Sequence, residues 1–206
     1  MRAALRHPAA WWALLLVGLM PMAWLVLQTV QDQLGANPAE ALIRATGDWT
    51  LRGLCVVLAV TPLRSWVGWP ELARFRRMLG LLVFAYASLH MLSYAWFDMG
   101  FDVAETLQDI IKRPFIGLGF GAFVILLALA ATSFNRAVRW LGGRRWQWLH
   151  RGVYLVAVLA VLHFWWMRAG KQDFDEVLVY AAILGVLLGW RLSRVLMKPR
   201  PPARVS

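Results

Sequence analysis

The chain has 206 residues, 60% of them hydrophobic, with 13 Trp and only 16% charged residues. A soluble domain of this size carries nearer a quarter charged residues, so the balance indicates a membrane protein, read as one domain over 1–206. The formal net charge is +11, but the basic residues alternate with apolar runs instead of forming one patch, and a nucleic-acid partner has no support. Cys55 is the single cysteine, so neither an intrachain disulfide nor a cysteine metal cluster is possible.

The first apolar run extends from His7 to Gln31 without a charge. It is long for a signal-peptide core and no small-residue cleavage site follows, so it reads as a retained span over 9–29. The second span, 46–66, is interrupted by Arg52. The third, 78–97, and the fourth, 114–135, are uncharged and match the ~20 residues an α-helix needs to cross a bilayer. The fifth, 146–167, requires Arg151 to snorkel near one end. The sixth, 175–195, carries Arg191. Long Arg stems can lift their charges to the interface, so all six stand. The expected fold is all-α, an integral membrane six-helix bundle. No internal repeat is visible, and the only biased segment is the tail KPRPPARVS.

The loops set a direction. Arg2 and Arg6 precede the first span. Arg64, Arg74, Arg76 and Arg77 follow the second, and Arg136, Arg139, Arg144 and Arg145 follow the fourth. Arg194, Lys198, Arg200 and Arg204 close the chain. The alternate loops are acidic, with Asp32 and Glu40, then Asp98, Asp102, Glu105 and Asp109, then Asp173, Asp175 and Glu176. Basic loops mark the cytoplasmic side, so both termini are expected there.

Histidines carry the chemistry. A histidine in lipid is costly and marks a functional site. His150 and His163 share the fifth span but lie about 20 Å apart along its axis and roughly 140° apart around it, too far to share one metal ion. His150 falls near the cytoplasmic surface and His163 toward the outer side, at the depth of His90 on the third span. Two imidazoles at one depth on neighbouring helices can clamp haem iron. The plainer alternative is that each bonds a backbone carbonyl. His7, before Pro8, reads as an interfacial residue. Gly117 and Gly121 in GLGFG have the small-xxx-small spacing of close helix packing. Trp11, Trp12, Trp165 and Trp166 read as lipid-facing or belt residues. The RFRR cluster at 74–77 is an inside anchor or a phosphate contact. Arg52 either snorkels or pairs with a haem propionate.

The stretches LGANPAEALIRATGDWTLR, ARFRRMLGLLVFAYASLHMLSYAW, KRPFIGLG and RRWQWLHRGVYLVAVLAVLHFWW resemble, in order and spacing over nearly the whole chain, the MsrQ (formerly YedZ) family of the ferric reductase-like transmembrane group. The resemblance implies a bacterial inner-membrane electron-transfer subunit with b-type haem and FMN. Electrons would come from the membrane quinol pool and pass to a periplasmic MsrP-like molybdopterin enzyme that reduces methionine sulfoxide in oxidised proteins. Carried over by motif, His90 and His163 are the haem ligands, His150 is a third haem-associated position, and Arg76 and Arg77 are FMN-binding candidates. The larger members of the group place two histidines on each of two helices. Here the partner position of His150 falls at Arg76 or Arg77. No Gly-rich dinucleotide fingerprint follows a strand, so nicotinamide is not expected on this chain. The competing classes are a transporter or proton channel with a histidine relay, and a plain membrane tether. A relay needs broken helices or intramembrane acids, and the acids are read as loop residues.

Overall fold

Proline and capping side chains set the helix starts. Pro8, Pro38 and Pro114 each occupy a first-turn position, where the missing N–H costs nothing and φ is preset for helix. The computed structural model describes residues 2–170 and 172–197; the tail residues Lys198, Arg200 and Arg204 lie outside the described residues. Described are ten α-helices: α1 (Arg2–Arg6), α2 (Pro8–Val30), α3 (Pro38–Val67), α4 (Arg76–Phe97), α5 (Val103–Lys112), α6 (Pro114–Ala131), α7 (Asn135–Leu141), α8 (Gly143–His150), α9 (Gly152–Ala169) and α10 (Asp175–Leu196). A 3-10 turn, Pro70–Phe75, leads into α4. Six segments are long and apolar enough to cross a membrane. The chain is an all-helical, multi-pass membrane protein.

Where boundaries depart from the hydropathy reading, local chemistry explains it. α3 starts at Pro38, not 46, because Asn37 caps it by accepting from the Glu40 amide (3.2 Å). Its 30 residues are about 45 Å long at 1.5 Å per residue, more than the ~30 Å hydrocarbon layer, so its polar ends project. α6 stops at Ala131 rather than 135. There Thr132 and Ser133 turn their hydroxyls back onto the carbonyls of Ala128 and Leu129, each at 2.7 Å. The fifth span is broken at Arg151 into α8 and α9. The segment 98–113, read as a loop, contains α5.

Two spans carry an internal proline, and each is repaired by a neighbour. In α2, Pro21 opens the hydrogen-bond ladder, and the Tyr86 hydroxyl of α4 inserts there. It accepts from the Met22 amide (3.1 Å) and donates to the Gly18 carbonyl (2.9 Å). In α3, Pro62 has no N–H for the Leu58 carbonyl, and Arg191 of α10 donates to that oxygen instead. A helix in lipid tolerates proline only where such partners exist. Arg191 therefore does not lift its charge to the interface as expected. It turns inward, also bonding the Leu187 carbonyl (2.9 Å) and lying 5.5 Å over the Tyr154 ring.

The helices pack as two hairpin pairs, α3 with α4 and α6 with α9, joined by an α4–α6 contact and flanked by α10 against α3 and α9. Leu54, Leu58, Val83, Ala122, Val156, Val177 and Leu184 fill the centre. α2 stands outside, with Leu25 alone buried among its residues, and its Leu16, Val17, Met20 and Trp24 face outward. Trp12, Trp165 and Trp166 are likewise exposed. The seam between the two hairpins is where the histidines meet.

Candidate cofactor site

His90 projects from α4 and His163 from α9 into that seam, with ring centroids 6.2 Å apart and planes at 77°. Each ring is tied from behind. Nδ1 of His90 lies 2.8 Å from the Ile43 carbonyl of α3, and Nδ1 of His163 lies 2.7 Å from the Phe115 carbonyl of α6. A carbonyl can only accept, so each Nδ1 carries the proton and donates. Each Nε2 keeps a lone pair, the form in which a neutral imidazole binds a metal. At about 2.0–2.1 Å per metal–imidazole bond, two rings sharing one metal ion would have to stand close to each other, and the 6.2 Å between these two centroids brings both within reach of a single ion. His90 and His163 are therefore the two side chains that would hold such a group.

Both histidines thus make the backbone-carbonyl bond that was the plainer expectation, and that bond leaves each Nε2 free to meet a metal. Of the two glycines with the close-packing spacing, Gly117 is tight, since a Cβ there would lie 3.3 Å from the Ile110 carbonyl oxygen, and Gly121 makes an ordinary contact with Leu159 (4.0 Å). The glycines against the histidines are two others: a Cβ on Gly119 would sit 2.9 Å from His163 Nδ1 and one on Gly47 would sit 3.1 Å from His90 Nδ1. Their signal lies in tertiary placement, since each belongs to a different helix from the histidine it faces.

His150, which ends α8, stands apart from the pair. Its Nε2 is 3.2 Å from Thr132 Oγ1 and its ring stacks on Trp146 at 4.0 Å. Trp146 in turn donates to the Thr132 carbonyl (2.8 Å). Among the described residues no three His, Cys, Asp or Glu side chains group around one metal position. Arg76 is exposed and near enough to His150 and Arg191 to act on their charge. Arg77 donates to Asn135 Oδ1 (2.9 Å), fastening α4 to α7. Arg74 bonds the carbonyls of Leu5 and Arg6 and so ends α1. His7 accepts from the Ala9 amide at the start of α2.

Arg52 neither snorkels nor stands free: its Nε donates to the Tyr180 hydroxyl (3.0 Å), and its guanidinium lies 4.8 Å over Trp49. Asp48, one turn earlier, lies within α3 and not in a loop, beside Arg52, Glu176 and Arg168. Arg168 pairs with Asp173 and Glu176, both at 2.9 Å. In the segment before α6, Asp102 caps α5 by accepting from the Glu105 amide (2.9 Å). Asp109 is held by Arg113 Nε (2.7 Å) and the Tyr94 hydroxyl (2.5 Å). The Arg113 hydrogen bond keeps the Asp109 carboxyl below its ordinary pKa.

A family profile described as ferric reductase like transmembrane component matches residues 46–161, a stretch that includes His90 and His150 and ends just before His163. A curated protein of Polaromonas naphthalenivorans, named protein-methionine-sulfoxide reductase heme-binding subunit MsrQ, is 64% identical over 188 residues, 91% of this chain and 86% of its own. The chain belongs to the MsrQ family. Identically named MsrQ proteins of Herminiimonas arsenicoxydans and Ralstonia nicotianae are each 55% identical, over 85% and 87% of this chain and 80% and 83% of theirs. No solved structure matches. As an MsrQ member and a ferric reductase-like component, the chain is a multi-pass membrane protein of the methionine sulfoxide reductase system.

Proposed function

We propose that the chain is a single-domain haem b subunit of the bacterial inner membrane, with both termini in the cytoplasm. It carries electrons from membrane quinol to a periplasmic MsrP-like molybdopterin reductase that repairs oxidised periplasmic proteins. The observation that carries this reading is the facing pair His90 and His163, each Nδ1 tied to a carbonyl and each Nε2 left for a metal. The printed names of the relatives, heme-binding subunits, support the same group. A bound haem supplies a one-electron iron centre. The chain's own part is to hold two neutral imidazoles in fixed planes, with the Phe115 ring 6.1 Å from that of His163.

On the inner side, His150, Arg76 and Arg77 are the groups proposed to serve electron input, His150 as a third haem-associated residue or quinone contact. Arg76 and Arg77 are the candidates for FMN; Arg76, exposed and unlike Arg77 without a hydrogen bond to α7, is the better placed of the two. Arg52, with Nε on Tyr180, has its terminal guanidinium N–H groups left to meet a haem propionate. On the outer side, Asp102 and Asp109 have structural bonds, so Glu105 is the acid of the three best suited to steer a docking partner, and rim charges act mainly on association rate.

The test is the visible spectrum of the purified chain. A reducible low-spin b-type spectrum is expected, and His90→Ala or His163→Ala should each remove most of the haem. Full haem content with an unchanged spectrum in both variants overturns the ligand assignment.

A further inference from the structure

The two histidine ties are one arrangement built twice. On α3, the Ile43 carbonyl receives His90 Nδ1 and Gly47 follows four positions later; on α6, the Phe115 carbonyl receives His163 Nδ1 and Gly119 follows four positions later. The sequence separations between carbonyl and histidine are 47 and 48 residues. Each half is a helical hairpin whose first helix supplies the socket and whose second supplies the imidazole. The chain, read from sequence as lacking repeats, thus repeats its site.

The glycine position follows from helix geometry. A carbonyl in a helix points along the axis toward the residue four places on, so a ring reaching that oxygen from a neighbouring helix must pass over residue i+4. A methyl there would stand 3.1 Å from His90 Nδ1 and Cε1, and 2.9 and 3.0 Å from His163 Nδ1 and Cε1. The first is tight, and the second forces something to move. The rings cannot yield freely, because displacement lengthens bonds of 2.8 and 2.7 Å.

We propose that Gly47 and Gly119 are positioning residues that hold each imidazole in its plane with Nδ1–H on a backbone carbonyl, and so set the basicity and relative orientation of the two nitrogens offered to the metal. The inference rests on the reading of His90 and His163 as haem ligands. A hydrogen bond from Nδ1–H makes Nε2 a stronger donor, which favours the more highly charged oxidised metal. Weakening either tie therefore shifts the reduction potential upward, and tilting a ring changes the angle between ligand planes.

The experiment compares Gly47→Ala, Gly119→Ala and Gly121→Ala in the full-length purified protein. Haem-to-protein ratio, the low-spin electron paramagnetic resonance spectrum and the midpoint potential are measured. Gly119→Ala should shift the low-spin signal and raise the potential, Gly47→Ala should do so less, and Gly121→Ala should match wild type. Where Gly119→Ala fails to accumulate, Gly47→Ala, with the milder contact, is decisive alone. Wild-type spectra and potentials in both close-contact variants at full haem content overturn the proposal, as does an equal change in Gly121→Ala. Wild-type protein without haem, or full haem in His90→Ala and His163→Ala, instead overturns the ligand reading beneath it. Nitrogen NMR of histidine-labelled chain without haem reads the sockets separately: Nδ1–H tautomers are expected, and Nε2–H tautomers would refute them.

Discussion

Arg191 and Pro62 should be energetically coupled through one carbonyl. Arg191→Met keeps an apolar stem but removes the guanidinium that donates to Leu58. A hydrogen bond from a charged donor contributes about 1.5–3 kcal/mol, and an unpaired buried carbonyl costs about 1–3 kcal/mol. Interhelical hydrogen bonds in membrane bundles are worth less, averaging about 0.6 kcal/mol, because the unfolded helices also find partners. Removing a partly buried cation recovers some desolvation as well. A net loss of about 1 kcal/mol is expected for the single variant. In a Pro62→Ala background, residue 62 regains an N–H and α3 closes its own ladder at Leu58, so the same substitution should cost little. The difference between the two costs, about 1 kcal/mol, is the quantity of interest, since independent sites add within about 0.3–0.5 kcal/mol. Pro62 is fully buried, so its own replacement shifts stability, but that shift cancels in the cycle. Reversible unfolding in mixed micelles, followed by circular dichroism, gives the four stabilities. Equal costs of Arg191→Met with and without Pro62 would refute the repair of a broken ladder.

Three further outcomes follow from the same contacts. His150→Ala should leave most of the outer haem yet slow its reduction by quinol; unchanged haem content and reduction rate would leave His150 with only its Thr132 and Trp146 contacts. Replacing Arg76 and Arg77 together by Lys keeps the charge but loses the forked geometry, and should weaken flavin retention on purification with topology intact; wild-type retention would leave these residues as anchors alone. Asp109, its pKa lowered by Arg113, stabilises the α5 junction above the ordinary carboxylate value near 3.9, and the contribution is lost as pH falls through the lower folded value. A spin label at Leu107→Cys in a Cys55→Ser background should therefore loosen only as the pH falls below about 3.9 in the parent, and be loose already at neutral pH in Asp109→Asn; identical pH profiles would exclude Asp109 as the fastener.

The sequence by itself determined that the chain is helical and membrane-spanning, because lipid leaves backbone groups no partner outside a helix or closed barrel, and runs of about 20 apolar residues then declare the spans. It also placed His90 and His163 at one depth, since rise per residue converts counting into height. It could not decide which faces meet. Rotation about each helix axis is set by contacts between residues far apart in the chain, so the Gly47 and Gly119 sockets and the Arg191 bond to Leu58 had no local signature. Hydropathy misjudged Arg191 and Arg52 for the same reason. A charge inside a span reads as a defect to be lifted out until the neighbouring helix supplies a carbonyl beside a proline, or a tyrosine hydroxyl, for it to bond. The loop acids looked alike in sequence, and the tertiary contact that separates Asp109 from Glu105 is the Tyr94 hydroxyl of α4, which joins Arg113 in holding it. Depth was written in one dimension, and the site required the other two.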